Sequence, residues 1–93
     1  MDSFKFKIIL QEKISNKNIN NISDENVSFL VKKSILRLFG ELSLQKFYFE
    51  INKLDNEENT FTISYLSDFK KKLTTALLLL TDLEYNIRVI IYR

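Results

Sequence analysis

The stretch Ser23-Asp24-Glu25-Asn26-Val27-Ser28-Phe29-Leu30-Val31-Lys32-Lys33-Ser34-Ile35-Leu36-Arg37-Leu38-Phe39-Gly40 decides the fold. Val27, Leu30, Val31, Ile35 and Leu38 fall on one stripe at helical spacing. Ser23 offers an N-cap, and Asp24 and Glu25 sit in the first turn, where negative charge suits the helix dipole. Gly40 is the only glycine in the chain and stands where the helix must stop. An amphipathic helix of this kind needs an apolar surface to lie on, and the flanking segments read as strands. Ahead of it, Phe4, Phe6, Ile8 and Leu10 alternate with Lys5, Lys7, Ile9 and Gln11. Behind it, Lys46–Leu54 sets Phe47, Phe49 and Ile51 against Tyr48, Glu50 and Asn52.

The run Asp55-Asn56-Glu57-Glu58-Asn59 reads as a hairpin turn leading into a third strand, Thr60–Leu66, with Phe61, Ile63 and Tyr65 inward. Ser67 is the predicted cap of a second helix with Phe69, Leu73, Ala76, Leu77 and Leu80 on its buried stripe, Leu79 at the margin, and an end near Thr81–Asp82. Tyr85–Tyr92 closes the chain as a fourth strand, burying Tyr85, Ile87, Val89 and Ile91 and turning Asn86, Arg88, Ile90 and Tyr92 outward. Ser15–Ile22 is a polar loop rich in residues that bond their own backbone. The order β-α-β-β-α-β predicts one α+β domain over residues 1–93 of the split β-α-β, or ferredoxin-like, kind. Such a domain has a four-stranded antiparallel sheet with two helices on one face.

Composition supports a packed domain with 45% hydrophobic residues, eight Phe and four Tyr. Fourteen basic and twelve acidic residues are interspersed, so a net charge of +2 does not by itself demand nucleic acid. With no cysteine and no histidine, the chain lacks a thiolate ligand, a cysteine nucleophile and the usual general base near neutral pH. A lone glycine excludes Gly-rich phosphate loops and the dinucleotide fingerprint. The pair Glu57 and Glu58 reads as a solvated turn rather than an acid–base dyad. The expectation is therefore a protein without cofactor, metal site or catalysis of its own. The apolar run Ala76–Leu80 is far too short to span a bilayer, and Met1-Asp2-Ser3 does not begin a secretory signal, so the chain is expected to be soluble and intracellular.

Two surfaces stand out as candidates for binding. On the open sheet face, Lys5, Lys7 and Arg88 form a small cation set, since the last strand should pair with the first. The outward positions of the first and third strands, Lys5, Lys7, Ile9 and Thr62, Ser64, Leu66, lack the aromatic platform on which an RNA-recognition motif stacks bases. Those lysines equally serve to discourage edge pairing, and Lys70-Lys71-Lys72 with Lys32, Lys33 and Arg37 read as solvated helix surface. Apolar residues in outward positions say more. Phe29 and Leu36 lie opposite the core stripe of the first helix, Leu78 does the same on the second, and Ile9, Leu66 and Ile90 give the open face an apolar component. Together they predict contact with a protein partner, unless the Ser15–Ile22 loop covers one of these patches.

The chain resembles the small ferredoxin-like protein subunits of ribonuclease P and ribonuclease MRP over nearly its full length. The likeness rests on the helix end Ile35-Leu36-Arg37-Leu38-Phe39-Gly40-Glu41, the run Lys71-Lys72-Leu73-Thr74-Thr75-Ala76-Leu77-Leu78-Leu79-Leu80, and the closing strand Ile87-Arg88-Val89-Ile90-Ile91-Tyr92-Arg93. Of the two paralogous eukaryotic subunits it looks more like the shorter. In the longer one the last strand runs on into a Ser-Gly-Thr segment and a further helix, whereas this sequence stops at Arg93. The resemblance implies a non-catalytic role in tRNA 5′-end processing, or in rRNA processing, with RNA doing the chemistry. It implies a TIM-barrel-like protein subunit, the paralogous small subunit and the catalytic RNA as partners, and a nuclear or nucleolar location. The competing expectations are a free-standing RNA-binding or ribosomal-type ferredoxin-like domain, and, with no convergent polar pocket to support it, an enzyme or small-molecule sensor.

Overall fold

The computed structural model describes residues 2–55 and 58–92. The elements run β1 (Asp2–Glu12), β2 (Asn18–Ile19), α1 (Asp24–Phe39), α2 (Glu41–Lys46), β3 (Phe49–Asp55), β4 (Thr60–Tyr65), α3 (Lys70–Leu78) and β5 (Tyr85–Ile91), with a 3-10 turn at Ser67–Phe69 ahead of α3. The result is an α+β domain with an antiparallel sheet. β1 is its axis: it pairs with β4 along Asp2–Lys7, with β5 along Phe6–Glu12, and with β2 at Leu10 and Gln11, while β3 pairs with β4. Even-numbered amides of β1 face the β4 and β2 side, with Ile8 N–H donating to the Asn59 carbonyl and Glu12 N–H to that of Lys17. The next odd-numbered amide, Lys13 N–H, donates to Glu84 on the β5 side.

Side-chain parity then sorts the strand. Phe6, Ile8 and Leu10 are buried, whereas Lys5 and Ile9 are exposed. The inward residues of the sheet share one core with Val27, Val31 and Ile35 of α1 and Leu73, Ala76 and Leu77 of α3. α1 forms as the sequence predicts: Ser23 Oγ accepts the Asn26 N–H at 3.2 Å, and Gly40 N–H donates to the Leu36 carbonyl at 3.0 Å. Gly40 has φ 87° and ψ 173°, a region that is essentially glycine's alone. The turn it makes lets α2 begin at once, with Leu44 N–H donating back to the Gly40 carbonyl.

α1 is also bonded to α3. Ser34, buried, donates from Oγ to the Ala76 carbonyl at 2.8 Å, and Arg37 donates to the Leu79 carbonyl at 2.7 Å. These bonds serve the end of α3, where the ladder tightens and Leu80 N–H turns to the Leu77 carbonyl.

Several expectations are corrected. The described sheet has five strands rather than four, because the Ser15–Ile22 loop contains β2. The described residues form three α-helices rather than two: Glu41–Lys46 is helical, and the strand expected from Lys46 begins at Phe49. Phe47 is buried as expected, but it caps α2 and packs its ring between those of Phe39 and Phe69, at 6.1 and 4.5 Å between centroids. Ser67 does not cap α3. It opens the 3-10 turn, and neither that turn nor α3 has a side-chain cap. α3 ends at Leu78, short of Thr81.

Because β5 pairs with β1 alone among the described strands, Tyr85, Ile87, Val89 and Ile91 are half-buried rather than buried. Of the predicted turn at residues 55–59, Asn56 and Glu57 lie outside the described residues and Glu58 is exposed. Asn59 is buried instead of solvated. Its amide donates to the Ile19 carbonyl at 2.8 Å and accepts the Ile22 N–H at 3.1 Å, tying the loop that contains β2 to the start of β4. Lys53 adds bonds from Nζ to Asn21 Oδ1 and to the Ile22 carbonyl, at 2.6 and 2.7 Å.

Candidate interaction surfaces

The register places all three predicted RNA-contacting cations in one row on the open face. Across β1 and β5, Lys7 stands opposite Ile90 and Ile9 opposite Arg88, while Tyr92 N–H donates to the Lys5 carbonyl at 2.9 Å. Each cation thus has an apolar or aromatic neighbour directly across. Lys5 Nζ lies 5.3 Å from the Tyr92 ring centroid, within cation–π range. On its other side β1 meets neutral polar residues, with Lys5 opposite Thr62 and Ser3 opposite Ser64. Beyond them in β3 come Asn52 and Glu50. Positive charge is therefore concentrated on the β1–β5 half of the face.

The same pairing corrects one expectation. Ile90 is half-buried, not exposed, and stands directly opposite Lys7 of β1, whose long aliphatic stem is able to shield it. Ile9, diagonal to it, is exposed only at the margin.

The predicted partner residues do not form one patch. Ile9 and Ile90 are on the open face. Leu66 is exposed just past the end of β4, one position beyond the Phe49–Tyr65 pair. Phe29 and Leu36 are exposed on α1, at 62% and 45%, so the Ser15–Ile22 loop does not cover them. Lys33 Nζ sits 5.5 Å from the Phe29 ring. Leu36 opens onto a groove of about 500 Å³ between α1 and the segment after α3, shared with Leu30, Arg37 and Leu83. Leu78 lines a different groove, beside Phe4, Ile91 and Tyr92.

Leu83, at 95% exposure, is an apolar residue that sequence periodicity could not flag, since it stands in a loop between Asp82 and Glu84. Leu42 on α2 is likewise exposed, on a helix that the sequence reading left unassigned.

Among the described residues no group of three or more acidic, cysteine or histidine side chains is placed to hold a metal ion. Nor is any described helix long and apolar enough to cross a membrane. What the surfaces offer chemically is a short cationic row interleaved with apolar side chains, together with separate apolar grooves flanking the helices. No protein-family model matches the chain, and no curated protein matches it, so these surfaces are what a functional reading must stand on.

Proposed function

We propose that this chain is a ferredoxin-like, non-catalytic protein subunit of a ribonucleoprotein, of the kind found in ribonuclease P and ribonuclease MRP. On this reading β5, β1, β4 and β3 are the four strands of the frame, with β2 and α2 as local additions to it. The observation that carries the reading is the uncovered sheet face, on which Lys5, Lys7 and Arg88 line up along the central strand and its neighbour, while α1 and α3 occupy the core side. Such a face suits phosphate contact without base stacking, which orients a protein on RNA without reading sequence. The segments that resemble the family fall at the end of α1 with its Gly40 turn, along α3, and on β5. The exposed Phe29, Leu36 and Leu83 provide apolar surface for the protein subunits of such a particle.

The test is purification of the tagged chain from its source cells, with mass spectrometry of the bound proteins and sequencing of the bound RNA. Ribonuclease P or MRP RNA, recovered with a TIM-barrel-like subunit, supports the proposal. Recovery of the chain without that RNA refutes it. In the same experiment the purified chain alone should leave a precursor tRNA uncut, since the chemistry belongs to the RNA.

A further inference from the structure

β3 closes one side of the described sheet, since it pairs with β4 alone. The Ile8 N–H bond to the Asn59 carbonyl fixes which groups of β4 face β1, and strand alternation carries the assignment on to β3. Glu50 and Asn52 bond to Ser64 and Thr62, whereas the N–H and carbonyl groups of Phe49 and Ile51 point away from the sheet. Those groups have no backbone partner among the described residues. The strand is interior to the chain, entered from α2 and left through the turn to β4. Alongside its free edge runs a groove of about 510 Å³ whose other wall is the first half of α1, with Phe29 exposed on it. The charged residues of the groove are Asp24, Glu25 and Glu50 against Lys32 alone, so its rim is acidic. Asp24 and Glu25 also suit the dipole of α1, but Glu50, exposed on a strand, has no such local use.

We propose that this edge accepts an extended, basic segment of another protein, added antiparallel to β3. The backbone groups of Phe49 and Ile51 give the main-chain bonds, as in other strand additions. Alternation of the added strand sets its chemistry. Side chains opposite Phe49 and Ile51 turn to the core side, where α1 presents Phe29, and should be apolar. The side chain between them stands opposite Glu50 on the outer face and should be lysine or arginine. The Lys53 Nζ bond to the Ile22 carbonyl sets the start of α1 beside the end of β3. The N-terminal end of the segment therefore passes Asp24 and Glu25 and should be basic as well. A second copy of this chain is a poor occupant, because pairing two β3 edges about Phe49, Glu50 or Ile51 sets Glu50 opposite or diagonal to its own copy. RNA is a poor occupant too, since the acidic rim repels phosphate. The inference stands apart from the ribonucleoprotein reading, whose cations lie on the β1–β5 half of the sheet, and of the surfaces in that reading it shares only Phe29.

Amide hydrogen exchange on the intact chain tests it. In the free chain the Phe49 and Ile51 amides should exchange fast compared with that of Ile63 in the middle of β4. A short peptide alternating lysine and valine should slow both by about tenfold or more at saturation. Its glutamate–valine counterpart should bind at least about tenfold more weakly, and a lysine–valine peptide N-methylated on its pairing amides should give no protection. Glu50→Lys, a change at an exposed position, should weaken the lysine–valine peptide by about tenfold and strengthen the glutamate–valine one. Slow exchange at Phe49 and Ile51 before any peptide is added would overturn the proposal, because the edge would already be filled. No protection by the lysine–valine peptide at millimolar concentration, equal protection by its N-methylated form, protection by a polyuridine oligonucleotide, or self-association that protects these amides would also overturn it.

Discussion

Asn59→Ala should be among the most damaging changes available at a polar position. Its side chain holds the Ile22 N–H and the Ile19 carbonyl, and both bonds are lost on truncation. Two responses are open to the chain. If the loop stays in place, a buried donor and a carbonyl are left without partners, at about 1–3 kcal/mol each. If the loop peels away to let water in, the domain gives up the burial of Ile22, about 1.5–3 kcal/mol for a side chain of this size. The cheaper response sets the loss, so the expected destabilisation is about 2–3 kcal/mol. For a domain of this size that lowers Tm by roughly 10–20 °C. Thermal melts followed by circular dichroism would read the change, and amide exchange at Ile22 would report which response the chain takes. Asn21→Ala is the control, since Asn21 is exposed and its side chain accepts from Lys53 Nζ, and it should cost no more than about 0.5 kcal/mol. A loss below about 0.5 kcal/mol for Asn59→Ala, with the Ile22 amide still slow to exchange, would refute the reasoning.

Gly40→Ala should destabilise by about 1–3 kcal/mol in a denaturant titration. No atom lies within 4 Å of the added methyl group, so the whole cost is the backbone conformation. Ser34→Ala should cost about 1–2 kcal/mol by the same measurement, because the Ala76 carbonyl loses its partner at the close of α3. Phe29→Ser and Leu36→Ser should each stay within about 0.5 kcal/mol of the parent melt. A loss of about 2–4 kcal/mol would mean that these side chains are packed within the domain. Changing Lys5, Lys7 and Arg88 together to glutamate should leave the fold intact and weaken filter binding of single-stranded RNA, flattening the salt dependence by a slope of about 2.

Legibility in the sequence followed the range over which each signal acts. α1 was readable because its cap, stripe and terminating glycine are local: Ser23, Val27 to Ile35, and Gly40 all act within a turn or two. β1 was readable for the same reason, as alternation is local. α2 was not, because Glu41–Lys46 is under two turns long and Phe47 is buried whether the residues before it are helix or strand. Ser67 followed by Asp68 looks like a cap, yet Phe69 packs edge-on against Phe47 and the chain enters α3 through a 3-10 turn. The Asn-rich segment reads as a loop because its composition is polar. Its order depends on Asn59, dozens of residues away, and no local pattern announces that bond. The cation row at Lys5, Lys7 and Arg88 followed from parity alone. The half-burial of Ile90 did not, since it depends on which long side chain lies across from it.

These differences converge on β1 as the strand through which the fold and the proposed binding face are both organised. Its even-numbered side chains from Phe4 to Leu10 belong to the core or pack against it, and its odd-numbered side chains Lys5, Lys7 and Ile9 belong to the open face. Its even-numbered backbone groups are taken up by β4, β2 and the Asn59 carbonyl, whereas its odd-numbered groups from Gln11 to Lys7 are taken up by β5 and the Lys5 carbonyl accepts the Tyr92 N–H. Substitutions along one strand should therefore separate cleanly by position. Phe6→Ala should cost about 3–5 kcal/mol, as burial of a large aromatic residue dictates. Lys7→Ala, one residue away, should leave stability nearly unchanged and act only on the proposed binding by the sheet face. If instead Lys7→Ala destabilised the chain as much as Phe6→Ala, the open face would have to be an internal surface, and every binding role assigned to it would fall.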